Sequence, residues 1–219
     1  MEVIYYFGID LQIYEIEKLT EISHPSVVKW YKKMRSICSL ALEKDPVVLG
    51  ETEGSLIEID ESMFDKKRKY NRGTGYQNKW VFGMVEKGTR TAIFRQVDRR
   101  NRDTLPPIIK DNVKEGVVVR SDCWKAYSSL EDEGFVHRTV NHKETFKADD
   151  GTCTKQIEGL WGLIKLKIKE RKGVLHSKID SVLDEFCYKY RYGLSNGDVY
   201  KKLLRDVSKY SSCLVRSDN

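Results

Sequence analysis

The most constraining feature of this sequence is a change of hydrophobic period at Ser55. Before it, Val27, Tyr31, Met34, Cys38 and Ala41 recur at helical spacing and place one apolar stripe along a helix that continues through Leu42. From Ser55 onward, Ser55–Asp60 (SLIEID) sets apolar Leu56, Ile57 and Ile59 around Glu58, in the manner of a half-buried strand. A chain that changes period in this way places a helical segment before a sheet, which excludes an all-helical bundle and an all-β sandwich alike. Two more strand-like runs, Lys79–Glu86 and Thr91–Asp98, flank Lys87-Gly88-Thr89-Arg90 and predict a hairpin.

A helix is expected over Asp103–Lys114, with Asp103 or Thr104 as cap and Pro106-Pro107 in its first turn, where the missing N–H groups cost nothing. Val117–Arg120 reads as a short buried strand that stops at Ser121-Asp122. A helix over Trp124–Glu133, ended by Gly134, and a strand over Phe135–Val140 follow, then helices near Thr154–Lys172 and over Ser177–Tyr192. The order is three strands, helix, strand, helix, strand, helix. It predicts a ribonuclease-H-like (retroviral-integrase-like) α/β domain, a mixed sheet with helices on both faces, preceded by a small N-terminal helical segment.

That segment contains a short helix near Tyr14–Ile22, a break at Ser23-His24, and a longer helix with Ser23 as N-cap and Pro25 in its first turn. Such a pair is either a helix-turn-helix or a helical hairpin that packs on the next domain. Asp45-Pro46 and the stretch from Gly50 to Gly54 have linker composition. The expected organisation is therefore a helical segment over 1–50, a catalytic-type α/β domain over 51–195 and a tail over 196–219.

Among the 219 residues, Lys+Arg number 39 against 33 Asp+Glu, and the excess is local. Residues 1–59 carry a net negative charge, whereas residues 64–102 and 160–178 are basic blocks. Separated basic blocks suit a surface that follows a phosphate backbone, and exclude an acidic solvating protein. Lys66, Lys67, Arg68, Lys69 and Arg72 supply one such surface; Lys165, Lys167, Lys169 and Arg171 supply the other. Read alone, the Lys66–Lys69 run is equally a solvated loop or a nuclear import signal. Five widely spaced cysteines without a Cys-x-x-Cys pair argue against a disulfide framework or zinc ribbon and fit a reducing compartment. No apolar run reaches the roughly 18 residues a membrane helix needs, and Met1–Ile9 lacks the flanks of a signal peptide.

Three acidic residues fall where chemistry would need them. Asp60 closes the first strand, Asp122 closes the fourth, and Glu158 lies near the start of the basic helix, whose buried face is marked by Ile157, Leu160, Trp161 and Ile164. In an open α/β sheet, groups at strand ends gather at one edge. Three carboxylates meeting there suit Mg²⁺, with Mn²⁺ as substitute, since this ion takes oxygen ligands and keeps several waters. Two such ions would stabilise the attacking and leaving oxygens of an in-line phosphoryl displacement. Each residue taken singly reads as a surface acid or a helix cap. Glu61 is the nearest rival to Asp60, but alternation turns it to the opposite face. His142 is either a site-adjacent group or a structural loop histidine, Trp124 and Trp161 read as core, and Cys123 has no base beside it.

These residues stand within longer motifs: Ile57-Glu58-Ile59-Asp60-Glu61-Ser62-Met63-Phe64, Lys67-Arg68-Lys69-Tyr70-Asn71-Arg72-Gly73, Trp80-Val81-Phe82-Gly83, Ser121-Asp122-Cys123-Trp124-Lys125-Ala126-Tyr127, Val140-Asn141-His142 and Ile157-Glu158-Gly159-Leu160-Trp161. Together, over about Val27 to Arg191, they resemble the catalytic domain of Merlin-type DDE transposases, related to bacterial ISXO-like insertion-sequence transposases. The resemblance implies a metal-dependent DNA strand transferase with Asp60, Asp122 and Glu158 as the triad on two Mg²⁺ ions. It also implies double-stranded DNA (terminal inverted repeats and target) as partner and a homodimer or larger working complex. The location would be intracellular: the nucleus in a eukaryote, the cytoplasm or nucleoid in a bacterium. The chain departs from the family at Asp65, where a Gly is usual, and at Cys153-Thr154-Lys155-Gln156, where a His-Thr-Asn-like run is usual. It also begins close to its helical segment, as a truncated or host-adopted copy would. Two other readings stay open: a non-catalytic DNA-binding protein derived from a transposase, and a nuclease of the same fold without strand transfer.

Overall fold

The computed structural model describes residues 2–64, 80–122, 124–139, 155–171, 178–194 and 197–214. The chain forms two compact units, one of residues 48–169 and one that joins residues 1–47 to residues 170–219.

The first unit is built on a mixed five-stranded sheet. Its strands are β1 (Leu56–Met63), β2 (Trp80–Glu86), β3 (Ala92–Val97), β4 (Val118–Ser121) and β5 (Val136–Thr139), in the spatial order β3-β2-β1-β4-β5. β1 runs antiparallel to β2 and parallel to β4; β2–β3 is the expected hairpin, and β4–β5 is parallel. With neighbours on both edges, β1 lies at the centre, and Ile57, Glu58 and Ile59 have no exposed surface. Every residue of Val81–Glu86 is buried, which explains a run that is apolar on both faces rather than alternating. Gly83 is required by close packing: a Cβ there would lie 2.7 Å from Phe94 Cε1 and 2.7 Å from Trp161 Cζ2. The hairpin turns at Gly88, whose φ of 78° favours glycine.

Helix α4 (Leu105–Asn112) buries Leu105, Pro106 and Ile109 and carries its prolines in the first turn, as expected. Thr104 occupies the cap position, but its hydroxyl donates to Asn101 Oδ1 at 2.6 Å and not to the helix. After β4 the structure departs from the sequence reading. In place of a helix over Trp124–Glu133 there is one 3-10 turn, Lys125–Tyr127, followed by successive turns up to Gly134 (φ 88°). Ser128 and Ser129, residues of lower helix propensity, fall where the run breaks. α5 (Lys155–Glu170) buries Ile157, Leu160, Trp161 and Ile164, the stripe read from the sequence.

The second unit contains α1 (Glu2–Gly8), α2 (Ile13–Thr20), α3 (His24–Lys44), α6 (Ile179–Arg191) and α7 (Gly197–Leu214). α3 presents Val27, Tyr31, Met34, Cys38 and Ala41 to a core shared with Phe7, Ile16 and Tyr188. α3 packs on both α6 and α7. These contacts place the boundaries differently from the expected segments 1–50, 51–195 and 196–219. The stretch from Glu170 onward joins the N-terminal helices, and the expected tail is a helix that buries Val199, Leu203 and Tyr210. α1 was not foreseen, because its apolar Val3, Ile4 and Phe7 sit in a run too short to show a period.

A fully buried Glu185 holds this unit together through charge. Arg171 donates to both its oxygens (2.9 and 2.7 Å), and Lys189 Nζ donates to Glu185 Oε1, Asp10 Oδ1 and the Phe7 carbonyl, each at 2.7 Å. Burial alone would raise the Glu185 carboxyl; the Lys189 and Arg171 charges overcome it and carry it down to about 2.

Candidate functional site

The site lies along the central strand, which does not close at Asp60 as expected but continues to Met63, because β2 goes on pairing with it through Met63–Trp80. β1 and β4 are parallel, with Glu58 opposite Arg120. Asp60 and Asp122 each stand two residues beyond that pair, so the register sets Asp60, inside β1, level with Asp122, just past the end of β4. Asp60 Oδ2 accepts the indole N–H of Trp161 from α5 at 2.9 Å. Asp122 Oδ1 accepts the Trp124 backbone N–H at 3.0 Å, a local turn that fixes its side chain.

Electrostatics link the three predicted carboxylates. Burial raises the Asp60 carboxyl above its ordinary value; the Trp161 and Glu61 N–H groups oppose this, and the charges of Asp122 and Glu158 push it further up. Glu158 is exposed in the first turn of α5. That turn is fastened to the sheet at its start. Glu58 Oε2 accepts the Ile157 N–H at 3.1 Å, Gln156 Nε2 donates to the Thr89 and Glu86 carbonyls (3.1 and 3.4 Å), and Gln156 Oε1 accepts the Gly88 N–H at 2.9 Å. Glu58 Oε1 and Arg120 Nη1 are buried without a hydrogen-bond partner among the described residues.

Glu61 faces the other way, as alternation required. It accepts the Tyr127 hydroxyl and lies 3.8 Å from Arg100. Burial, aided by the charges of Asp60 and Asp122 and opposed by Arg100, pushes it up to about 7. The Arg100 guanidinium lies over the rings of Trp80 (3.6 Å) and Trp124 (4.8 Å). Trp161 is core, as expected, but Trp124 is exposed: its indole N–H donates to the Arg100 carbonyl at 3.2 Å, and Arg100 occupies the space beside it that core packing would have needed.

The basic residues divide. Lys165 and Lys169 are exposed on α5, with Lys165 Nζ 5.5 Å from the Phe64 ring, and Lys167 is half-buried. Arg171, expected among the phosphate-facing cations, instead commits its guanidinium to Glu185, because a buried carboxylate demands a bidentate partner. Lys66, Lys67, Arg68, Lys69, Arg72 and His142 lie outside the described residues, as do Cys123, Cys153 and Thr154. Arg100, Tyr127, Glu58 and Gln156 were not singled out from the sequence. The only signal for the last was its place in the run before Glu158 that departs from the family.

Among the described residues, no three His, Cys, Asp or Glu side chains stand close enough to hold a metal ion. The donor chemistry nevertheless suits a hard divalent cation: the three candidate groups are carboxylates, and the half-buried Asp60 is raised by the charges of Asp122 and Glu158, which a cation would relieve.

Residues 51–190 match the family described as the ISXO2-like transposase domain. Among curated proteins none matches the chain. Among solved structures, the cryoEM structure of the simian T-cell lymphotropic virus intasome in complex with PP2A regulatory subunit B56 gamma is similar at 11% identity and a TM-score of 0.42. The match covers 79% of this chain and 67% of that one.

Proposed function

The chain belongs to the ISXO2-like transposase domain family, and from that premise we propose that it is a DDE transposase of the Merlin type, cleaving DNA at element ends and joining the freed 3′-hydroxyl to target DNA. The observation that supports this reading is the register that sets Asp60 of β1 level with Asp122, just past β4, with Trp161 of the helix that carries Glu158 bonded to Asp60. The strand order β3-β2-β1-β4-β5, with β1 central and antiparallel to β2 alone, supports a ribonuclease-H-like fold for this unit.

In this reading Asp60, Asp122 and Glu158 hold Mg²⁺, which when bound supplies charge neutralisation and an activated oxygen nucleophile for phosphoryl transfer. Trp161 fixes the Asp60 rotamer through its N–H bond and keeps that side of the carboxylate dry. The pin of Glu58 and Gln156 on the start of α5 sets where Glu158 is presented. Lys165 and Lys169 lie on the same helix and would take DNA phosphates. Two element ends must be joined in one event, so the working complex would be at least a dimer. It would act in the nucleus of a eukaryote or the nucleoid of a bacterium.

A host-adopted DNA-binding protein without catalysis is favoured by one observation, the departure of Cys153-Thr154-Lys155-Gln156 from the run usual before the last Glu. Mn²⁺ titration of the native chain beside Asp60→Ala separates the readings. Binding that the substitution abolishes supports the transposase; no carboxylate-dependent binding supports the second. Cleavage of labelled element ends without joined product would instead identify a nuclease.

A further inference from the structure

Asp60 and Asp122 are held by different means. Asp60 lies within β1, where Gly83 of β2 pairs with it. Asp122 stands past the last residue of β4: the ladder to β1 ends at the Glu58–Arg120 pair and the ladder to β5 at Ser121–Thr139. Among the described residues no strand pairing sets the backbone at Asp122, so its position relies on local bonds. One is the Trp124 N–H on Asp122 Oδ1. The other is the Ser121 hydroxyl, which donates to the Asp122 carbonyl at 2.7 Å.

Ser121 has no exposed surface, and its hydroxyl oxygen lies 2.8 Å from His137 Nε2 on β5. The direction of this second contact follows from the first. A hydroxyl carries one hydrogen, and that of Ser121 is spent on the Asp122 carbonyl, so Ser121 Oγ meets His137 as an acceptor. His137 Nε2 must then carry the proton. Burial holds the imidazole below its ordinary range, against the opposing charge of Glu131, so the ring is neutral at pH 7 and this is its single N–H. The sheet puts the ring in place. Val119 and His137 are register partners, so His137 shares a face with Ser121, two residues on from Val119. On that face the His137 ring meets the Tyr127 ring in an edge arrangement, 6.3 Å between centroids, and Tyr127 donates its hydroxyl to Glu61, the neighbour of Asp60.

We propose that His137 is a positioning residue for Asp122: by donating its Nε2–H to Ser121 it aims the hydroxyl at the Asp122 carbonyl and fixes the backbone from which Asp122 presents its carboxylate. The consequence for metal affinity rests on the reading of Asp122 as a metal ligand; the chain of hydrogen bonds is tested without metal.

The test uses the full chain with His137→Leu, which removes the donor, His137→Gln, which returns an amide N–H at similar reach, and Ser121→Ala, which removes the middle link. Arg138→Ala, exposed on β5, is the control. Two quantities are measured: amide exchange at Trp124 without metal, which reports the bond to Asp122, and Mn²⁺ affinity by titration. His137→Leu and Ser121→Ala should each speed Trp124 exchange and weaken Mn²⁺ binding about tenfold, as loss of a group that orients a ligand does. His137→Gln should recover most of both, and Ser121→Ala combined with His137→Leu should be no worse than Ser121→Ala alone, because the two act through one chain of bonds. Arg138→Ala should match the native chain. Native values in His137→Leu, a His137→Gln variant as impaired as His137→Leu, or additive losses in the combined variant would each overturn the proposal. A native chain without Mn²⁺ affinity whose Trp124 exchange still follows the donor would overturn the metal reading and leave the positioning of Asp122 standing. A native chain that binds Mn²⁺ while neither quantity follows the donor would do the reverse.

Discussion

Trp161 and Asp60, 101 positions apart in sequence, are joined by an indole N–H bond of 2.9 Å that ties the basic helix to the central strand. The indole packs edge-on against Phe94 (4.8 Å between centroids) and Phe64 (5.7 Å), so it is held on several sides while its N–H points at the carboxylate. Trp161→Phe keeps most of the volume and removes the donor. The Asp60 carboxyl should then rise further, because a bond that favours its charged form is lost. The acidic limb of the pH–rate profile for strand transfer should move to higher pH, with a stability loss of about 1–3 kcal/mol. An unmoved limb would count against Asp60 as the group that must be ionised.

Gly83→Ala tests the same contact from beneath. The added methyl would lie 2.7–2.8 Å from Phe94 and the Trp161 ring, so one aromatic must shift. Overpacking of this kind costs about 1–3 kcal/mol. The denaturation midpoint should fall, and Mn²⁺ affinity with it, as Trp161 leaves Asp60.

Gln156→Ala removes three hydrogen bonds that join α5 to the β2–β3 turn while leaving the buried face of the helix intact. Amide exchange in the first turn of α5 should accelerate, with the remainder of the sheet unchanged, and Mn²⁺ affinity should drop about tenfold, as for other groups that orient a ligand. Gln156→Glu should be no better, since it offers no donors to the two carbonyls.

Acid stability should depend on Glu185. Between its ordinary value of 4.5 and its folded value of about 2, the unfolded chain holds a proton there that the folded chain does not. The stability it contributes is therefore present above about 4.5 and is lost as pH falls toward about 2, on the order of 3 kcal/mol in all. Glu185→Gln should flatten that part of the stability curve and, by leaving Arg171 and Lys189 with an uncharged partner, cost about 3–5 kcal/mol at neutral pH. Denaturant titrations at several pH values measure both effects.

Much of the fold was legible in the sequence because its signals are local. Alternation in Ser55–Asp60, the apolar run of β2 and the stripe of α3 each required the element found. The parts that were not legible depend on partners distant in sequence. Nothing near Arg171 announces that Glu185 will claim it, and nothing near Trp124 shows that Arg100 will stack on it and leave its other side in solvent. The return of the chain after α5 to the N-terminal helices is equally non-local, since α6 and α7 carry stripes that fit any apolar surface. At the proposed site, the sequence placed Asp122 after a strand and Glu158 at a helix start, as found, but closed β1 at Asp60, where the strand continues to Met63. The Glu58 and Gln156 bonds that set the start of α5 were not legible, because each joins residues 67 to 99 positions apart.

The most direct measurement is cleavage and strand transfer on labelled element ends with Mg²⁺ or Mn²⁺, for the native chain beside Asp60→Ala, Asp122→Ala and Glu158→Ala. The account predicts joined product from the native chain and a loss of at least about a thousandfold in each variant, with duplex binding retained. Joined product from any of the three variants at the native rate, or a native chain as inert as they are on authentic ends, would contradict it.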